Sequence, residues 1–426
     1  VVKTLQEKDY DFIYSDEDKL DLDGNRCDPF FKPDWAPDLL LSENYTSHFS
    51  VYRRSLIEEL GRLTEESSGC QDYDLVLRIT EKTDKIKHIP KILYHWRKIP
   101  GSTAATVDAK PYVFTRAKET LLRAMKRRGI EGTVEDGRFS SSFRVKRHIL
   151  GEPLVSIIIP FKDKADVLKV CIESILKKST WENYEILLVD NQSEELETKE
   201  YLEQLKYNKK IKLLSYDHPF NFAAINNFAV QKAQGEYFLL LNNDTEVISE
   251  DWIQSMLEHA QREEVGAVGA KLIYPNNLIQ HAGVIVGLNG IANHAFGKTH
   301  RNDLAYFGQA EVIRNYSAVT GACMMIRKDI YEKVGGLNEK DLAITFNDID
   351  FCLRLREQGY LVVYTPFAEL YHHESLSRGY EVAMKEIQYM QRKYAGILEK
   401  GDPYYNRNLT QERFDFSLRV EDKIAD

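Results

Sequence analysis

The stretch Tyr237-Phe-Leu-Leu-Leu-Asn-Asn-Asp-Thr-Glu246 combines a short apolar run with an abrupt polar end. The run from Tyr237 to Leu241 is typical of a buried central strand. In an open α/β sheet, ligands bind beyond the carboxyl ends of the strands. Asn242 and Asp244 would lie there, and their paired oxygen atoms suit a divalent cation that is bound to a diphosphate. The same residues could instead cap the next helix, so this stretch alone leaves both interpretations open.

Three further strand patterns precede this one and alternate with helical patterns. They are Val155–Ile159, Tyr184–Val189 and Ile211–Ser215. This order predicts an α/β fold with a parallel, Rossmann-like sheet. The sequence contains neither G-x-G-x-x-G nor G-x-x-x-x-G-K-[ST], which argues against a dinucleotide-dependent dehydrogenase and a P-loop NTPase.

Bulk composition narrows the function classes further. The 426 residues carry a net charge of −9, which disfavours nucleic acid as a partner. Five widely spaced cysteines form no C-x-x-C pair, so we expect free thiols and a cytoplasmic location. No apolar run reaches the length of a membrane span. Because the chain begins at Val1 with a pattern already under way, we expect it to be part of a longer protein.

The chain contains an internal repeat. Gln71–Arg78 matches Asn347–Arg354, and a Leu-Tyr-His sequence follows at nearly the same spacing, ending at His95 and His372. Residues 1–100, the first block, are therefore predicted to be a partial copy of residues 154–380, the second block. The alignment matches Ser15–Asp18 with Ala270–Ile273 of the second block. The acidic residues Asp16-Glu17-Asp18 are therefore not the equivalent of Asn242 and Asp244.

This repeat predicts four parts. They are a partial domain that holds only the carboxyl half of the fold (1–100), a basic helical and hairpin connector (101–153), a complete domain (154–380), and a C-terminal helix with a polar tail (381–426). From Lys110 to Leu150 the connector holds eleven Lys and Arg against four Asp and Glu. It could be a solvated face or a peripheral contact with an anionic membrane surface or lipid carrier.

Two further polar elements follow the predicted sheet. Asp348 and Asp350 open a predicted helix, where the macrodipole favours negative charge. Asp348 could cap that helix, or it could act as a general base on an acceptor hydroxyl. His372 could be a satisfied core histidine or, beside Asp244, a metal ligand. Three such elements in one domain favour a functional site.

Residues 154–380 resemble the bacterial family 2 glycosyltransferases of the GT-A fold, in particular tandem enzymes of O-antigen or rhamnan biosynthesis. The resemblance is carried by five motifs: Val155–Pro160, Leu188–Asn191, Leu241–Asp244, Phe346–Asp350 and Tyr371-His372. It implies a nucleotide-sugar donor, a glycan or lipid-linked glycan acceptor, and a divalent cofactor, Mn²⁺ or Mg²⁺.

The resemblance also implies roles for individual residues. Asp348 stands at the position of the catalytic base. Metal ligands are expected at Asn242, Asp244 and His372, although Asn242 replaces the commoner Asp and puts the metal affinity in doubt. The expected nucleotide-sugar-binding residues are Pro160, Asp163, Asp190, Asn191, Asn227 and Asn243; helix packing would explain the Asn227 region equally well.

The function predicted on this basis is metal-dependent, inverting transfer of a sugar from a UDP- or dTDP-linked donor. The acceptor would be a hydroxyl of a growing surface polysaccharide or lipid-linked glycan, at the inner face of the plasma membrane. The alternative is a non-catalytic carbohydrate-binding or scaffold protein with a GT-A-derived fold. A nucleotidyltransferase is disfavoured because no Gly-rich phosphate loop follows Pro160. The first block lacks a nucleotide-binding half, so we expect it to be inactive, either as part of a truncated enzyme or as an acceptor-binding module.

Overall fold

The computed structural model describes residues 1–99, 111–373 and 384–420. The first block forms a four-stranded sheet in which β1 pairs in parallel with β4 and antiparallel with β2 and β3. Its strands are β1 Phe12–Leu20, β2 Arg26–Phe30, β3 Ser50–Tyr52 and β4 Ile86–Arg97. Its helices are α1 Val2–Glu7, α2 Pro37–Ser42, α3 Arg54–Glu59 and α4 Gln71–Ile79. The acidic residues Asp16-Glu17-Asp18 are part of strand β1.

The connector consists of one helix and one hairpin, and its first ten residues lie outside the described ranges. Its elements are α5 Pro111–Arg127, β5 Gly132–Asp136 and β6 Phe143–Arg147. Most of its described cations are paired with carboxylates: Arg116, Lys118, Arg127, Arg128, Arg138, Arg144 and Lys146. Two of these pairs reach Glu81 of the first block, and others reach Glu258 and Glu311 of the second. Four of these cations, Arg127, Arg128, Arg138 and Arg144, therefore join the connector to the two blocks.

The second block is built on one long mixed sheet with the order β11-β18-β12-β17-β10-β7-β8-β9. The strands are β7 Val155–Phe161, β8 Tyr184–Asp190, β9 Ile211–Ser215, β10 Tyr237–Leu241, β11 Thr245–Val247, β12 Val265–Ile273, β13 Ile279–His281, β14 Val284–Val286, β15 Ala292–His294, β16 Arg314–Tyr316, β17 Cys323–Arg327 and β18 Leu361–His372. The helices are α6 Ala165–Lys178, α7 Leu196–Leu205, α8 Phe222–Val230, α9 Trp252–Ala260, α10 Lys328–Val334 and α11 Asn347–Glu357, with α12 Met384–Lys393 and α13 Ala395–Lys400 after it. In the described part of the chain, no helix has both the length and the apolar character needed to span a bilayer.

The predicted α/β sheet is confirmed. Strand β10 is buried along its whole length and pairs in parallel with β7, which continues in parallel to β8 and β9. On its other side β10 pairs antiparallel with β17. This antiparallel insertion is not part of the sequence prediction, because the pairing partner of a strand depends on contacts between distant segments.

The two blocks share one topology. In each, a nine-residue strand pairs in parallel with a twelve-residue strand: β1 with β4, and β12 with β18. Both pairings shift register near the middle, after Ser15 and after Ala270. Pro366 lies at this shift and does not end β18. A bulge takes up the proline, and the pairing with β12 continues beyond it.

The segment after α13 is packed into the protein, which differs from the polar tail predicted from the sequence. Tyr404, Leu409 and Phe416 are almost fully buried in the hydrophobic cores. Asn406 donates hydrogen bonds from its side-chain amide to both carboxylate oxygens of Asp16 in the first block. The aromatic residues of this segment were the feature of the sequence that could have indicated its burial. Residues 421–426 lie outside the described ranges.

A buried ion pair crosses the contact between the blocks. Asp38, in the first turn of α2, is 2.5 Å from the guanidinium of Arg262, and its other oxygen accepts from the Asn315 amide at 2.7 Å. Burial alone would raise the pKa of Asp38, but the opposing charges, Arg262 above all, outweigh burial and lower this pKa to about 2. The ionised carboxylate therefore contributes about 2 kcal/mol to folding at neutral pH.

We expect Asp38→Asn to lower the free energy of unfolding by about 3 kcal/mol at pH 7, because it removes the buried counter-ion of Arg262 and leaves this guanidinium with Glu264, whose side chain is 55% exposed. The folded pKa lies below the unfolded one, so this contribution is complete above about pH 4 and shrinks as the pH falls toward 2. Urea unfolding of wild type and variant between pH 7 and pH 3 measures both effects. Asp303→Asn, at an exposed loop residue, is the control; equal stability of the two variants would contradict the expectation.

Candidate active site

The turn after β10 is anchored from three sides. The amide of Asn242 donates to the carbonyl of Ala322 at 3.0 Å. The Asn242 carbonyl accepts from the hydroxyl of Thr245 at 2.9 Å and from the thiol of Cys171 at 3.7 Å. Burial raises the pKa of this thiol to about 12, so it stays protonated and acts as a donor. The backbone that carries Asn242 and Asp244 is therefore held in one place.

Pairing of β11 with β18 brings His372 to this turn. In the antiparallel register Thr245 faces His372, and the amide of His373 donates to the Asp244 carbonyl at 2.8 Å. The Nε2 atom of His372 lies 3.1 Å from Asp244 Oδ1 and 3.2 Å from the Asn242 side-chain amide. The three predicted metal ligands thus converge, although they come from two segments more than a hundred residues apart.

Gln280 is part of this cluster, and the sequence reasoning missed it. Its Oε1 atom lies 2.5 Å from Nδ1 of His372, and its side chain is 5% exposed. The available signal was a polar residue within the otherwise apolar run before His281. That signal indicates a buried polar group but does not identify its partner.

The donor set fits a divalent cation that also takes ligands from its substrate. It offers the carboxylate of Asp244, the imidazole of His372 and the side-chain amide of Asn242, whose nitrogen faces His372 here and whose oxygen would have to turn toward a bound cation. Within the described ranges, no three His, Cys, Asp or Glu side chains cluster closely enough to hold a metal by themselves. A cation bound here would therefore need the amide of Asn242 and further oxygen ligands from outside the protein, such as phosphate.

Asp348 lies beside the same turn, and its Oδ1 atom also accepts from the amide of Ile349 in the first turn of its own helix, at 2.8 Å. It is in the first turn of α11, whose N-cap position is occupied by Phe346 without a side-chain cap. Asp348 Oδ2 accepts from the amide of Gly321 at 2.8 Å. The next residue, Ala322, accepts from the amide of Asn242, so Asp348 is linked to the metal-ligand turn through a two-residue bridge. This places a carboxylate at the edge of the candidate site.

Asp350, one helical step further, has a structural role. Its carboxylate accepts from Arg354, Lys393 and Tyr394, each at 2.7 Å, and it is completely buried. These bonds fasten α12 and the following turn onto α11. The two carboxylates of this Asp-x-Asp motif therefore lie in different places: Asp348 at the candidate site and Asp350 in the core.

Two of the predicted nucleotide-binding carboxylates meet where β7 and β8 end. Asp163 accepts from the amides of Glu194 and Glu195, at 2.7 and 2.9 Å, and Asp190 accepts from the amide of Ser193 at 2.9 Å. Pro160 lies in β7 opposite Val189 of β8. Asn243 is half-buried in the turn after β10. These four predicted residues follow or end parallel strands at the same edge of the sheet.

The other two predicted donor-binding residues are occupied by structural bonds. The amide of Asn191 donates to the carbonyls of residues 216 and 218, at 3.1 and 2.8 Å. The amide of Asn227 donates to Leu337 and Glu339 and accepts from the hydroxyl of Tyr331 at 2.6 Å. Asn227 thus fixes the turn after α10. Its donors and acceptor are engaged there, and its role in donor binding stays a prediction.

The first block does not reproduce this cluster. Asp72 is exposed and accepts from Asn44 at 3.0 Å, while His95 is paired with Asp18. Asp16 and Glu17 are engaged by His88 and His48, at 2.7 and 2.9 Å. Each carboxylate of the acidic run is thus hydrogen-bonded to a histidine, and the described part of the chain shows no group of three His, Cys, Asp or Glu side chains that could hold a metal.

The chain shows clear similarity to known proteins. A family model described as "Glycosyl transferase family 2" matches residues 156–335. An uncharacterized protein of Sinorhizobium fredii is 44% identical over 421 residues, which cover 96% of this chain and 46% of that protein. The O-antigen biosynthesis protein RfbC of Myxococcus xanthus is 40% identical over 420 residues, which cover 97% of this chain and 32% of that protein. The chain thus spans less than half the length of these two relatives.

Among solved structures, the crystal structure of GalNAc-T7 with UDP, GalNAc and Mn²⁺ aligns with a TM-score of 0.49 and 14% identity, over 62% of this chain and 53% of that one. The family match covers the strands and helices that build the candidate site as far as α10. Residues 156–335 therefore belong to glycosyl transferase family 2, and the chain carries a glycosyltransferase domain of the predicted α/β fold, with an additional region before it.

Proposed function

We propose that the second block is a metal-dependent, inverting glycosyltransferase. The observation that carries the proposal is the convergence of Asn242, Asp244 and His372 within about 3.2 Å, with Asp348 on the adjoining bridge. This arrangement supplies a cation site for a diphosphate and a separate carboxylate for an acceptor. A carbohydrate-binding scaffold would not require both groups at one edge of the sheet.

A divalent cation at this site would neutralise the charge that develops on the departing nucleoside diphosphate. Side chains and backbone groups of the protein carry out the remaining steps. The carboxylate of Asp348 accepts the proton of the acceptor hydroxyl while that oxygen attacks the anomeric carbon. The bond to the diphosphate oxygen breaks on the opposite face, so the anomeric configuration is inverted. The amide of Gly321 holds the Asp348 carboxylate in one orientation throughout.

The proposed donor is a UDP- or dTDP-linked hexose or deoxyhexose. Asp163 and Asp190 would contact its base and ribose, with Pro160 and Asn243 beside them, because all four lie at the strand ends where nucleotides bind in such sheets. The proposed acceptor is a hydroxyl of a surface polysaccharide or lipid-linked glycan, in line with the name of the Myxococcus xanthus relative. All five cysteines are free thiols, which fits the proposed cytoplasmic location.

Replacement of Asp244 by Asn is expected to abolish the metal-dependent part of donor binding, because it removes the single carboxylate among the three proposed ligands. A thermal-shift panel of UDP-, dTDP- and GDP-sugars, with and without Mn²⁺, measures this directly. Wild type should be stabilised by one nucleotide class only when Mn²⁺ is present, and Asp244→Asn should show no such dependence. A shift by no donor in wild type would instead favour the scaffold alternative.

Replacement of Asp348 by Asn should leave donor binding intact and lower kcat by about 10²- to 10⁴-fold, the range for loss of a general base. Turnover of the donor identified in the panel, with its acceptor, gives kcat, and product analysis gives the anomeric configuration. Glu357→Gln, at an exposed position near the end of the same helix, is the matched control. Undiminished kcat in Asp348→Asn, or a retained configuration in the wild-type product, would refute the proposed mechanism.

A further inference from the structure

The contact between Gln280 and His372 has a chemical consequence for the site. Gln280 Oε1 lies 2.5 Å from His372 Nδ1. An amide oxygen accepts hydrogen bonds and cannot donate them, so Nδ1 must carry a proton. In the neutral imidazole the other nitrogen, Nε2, then has a lone pair.

That lone pair points into the proposed metal site. Nε2 lies 3.1 Å from the carboxylate of Asp244 and 3.2 Å from the side-chain nitrogen of Asn242, which donates a hydrogen bond to the lone pair. A lone pair and a carboxylate oxygen at this separation repel each other unless a positive charge lies between them or beside them. In this structure the N–H group of Asn242 supplies that positive partner, and a cation that took its place would be shared by Nε2 and the Asp244 carboxylate.

Gln280 is itself held in a rigid frame. It lies in β13, which pairs antiparallel with β12, and the backbone of Ile279 bonds to Thr299 and Lys298 on its other side. The carbonyl of Gln280 accepts from the ring of His294 at 2.8 Å. Because β12 pairs with β18 as well, the strands that carry Gln280 and His372 flank one common strand. The distance between the two side chains is thus fixed by the sheet.

We propose that Gln280 is a positioning residue, which fixes the tautomer and the ring orientation of His372 so that Nε2 binds a divalent cation together with Asp244. The proposal rests on the proposed metal-dependent function and extends it to a residue outside the family motifs. Replacement of a residue that orients a metal-bound imidazole in this way commonly lowers the metal affinity 10- to 100-fold.

Two substitutions separate this role from simple packing. Gln280→Met keeps the size and shape of the side chain but removes the oxygen that accepts from Nδ1. Gln280→Glu keeps an acceptor at the same place, since a carboxylate also accepts from an imidazole N–H. Packing alone would make the methionine variant the milder one. The positioning role predicts the reverse order for metal binding.

The experiment titrates Mn²⁺ into the full chain, first alone and then with UDP or dTDP present to supply phosphate ligands, and follows free Mn²⁺ by electron paramagnetic resonance against a protein-free control. Gln280→Met should weaken Mn²⁺ binding by about 10- to 100-fold, while Gln280→Glu should stay within about threefold of wild type or bind more tightly. Gln204→Met, at an exposed position of α7, should bind as wild type does. Circular dichroism establishes that each variant is folded, and Gln280→Ala carries the same expectation should the methionine variant not fold.

The outcomes distinguish this proposal from the one it rests on. Wild type that binds Mn²⁺, with Gln280→Met binding equally well, would overturn the positioning role and leave the metal-dependent function standing. The positioning role is also overturned if Gln280→Glu loses as much affinity for Mn²⁺ as Gln280→Met does. Wild type that binds no Mn²⁺ would overturn both proposals.

Discussion

The pairing of β11 with β18 is the constraint on which the candidate site depends. It sets Thr245 opposite His372 and so brings an imidazole onto the turn after β10. A slip of one residue would turn His372 to the other face of the sheet. The register is fixed a second time, because β18 also pairs in parallel with β12, with Leu370 opposite Leu272. The site is therefore positioned by backbone hydrogen bonds between distant segments, and its side chains need little additional support to meet.

Sequence patterns over a few residues predicted individual strands and helices, which depend mainly on neighbouring residues. The apolar run Tyr237–Leu241 is sufficient to predict a buried strand, whereas its polar end alone leaves a site and a helix cap both open. The antiparallel insertion of β17 and the contact of Gln280 with His372 could not be predicted in this way, because both depend on which strands pair and in which register. The resemblance to a family supplied His372, since spacing alone does not separate a ligand from a core histidine. Asn227 stays a prediction as a donor-binding residue; that its amide also fastens a distant turn could not be read from the sequence.

The first block shows how one topology can hold different chemistry. Its β1 and β4 pair as β12 and β18 do, yet β1 buries the acidic side chains of Asp16 and Asp18 in the sheet. Burial of a carboxylate is costly unless it is paired and hydrogen-bonded. His88, His95 and the amide of Asn406 provide those partners here. From sequence, the same acidic run is compatible with a loop or a metal motif, because its partners lie up to several hundred residues away.

The presence of Asn242 in place of a second acid fits the burial of the site. Asp244 and His372 are 9% and 8% exposed, so a further carboxylate beside them would repel Asp244 in surroundings of low polarity. With an amide there, the protein contributes one negative charge, and a cation must gain the rest of its ligands from the phosphates of the donor. On the proposed function, cation and donor would then each raise the affinity for the other, and by thermodynamic linkage the two factors are equal. On the proposed function, Asn242 would thus favour a site in which the cation binds together with its donor.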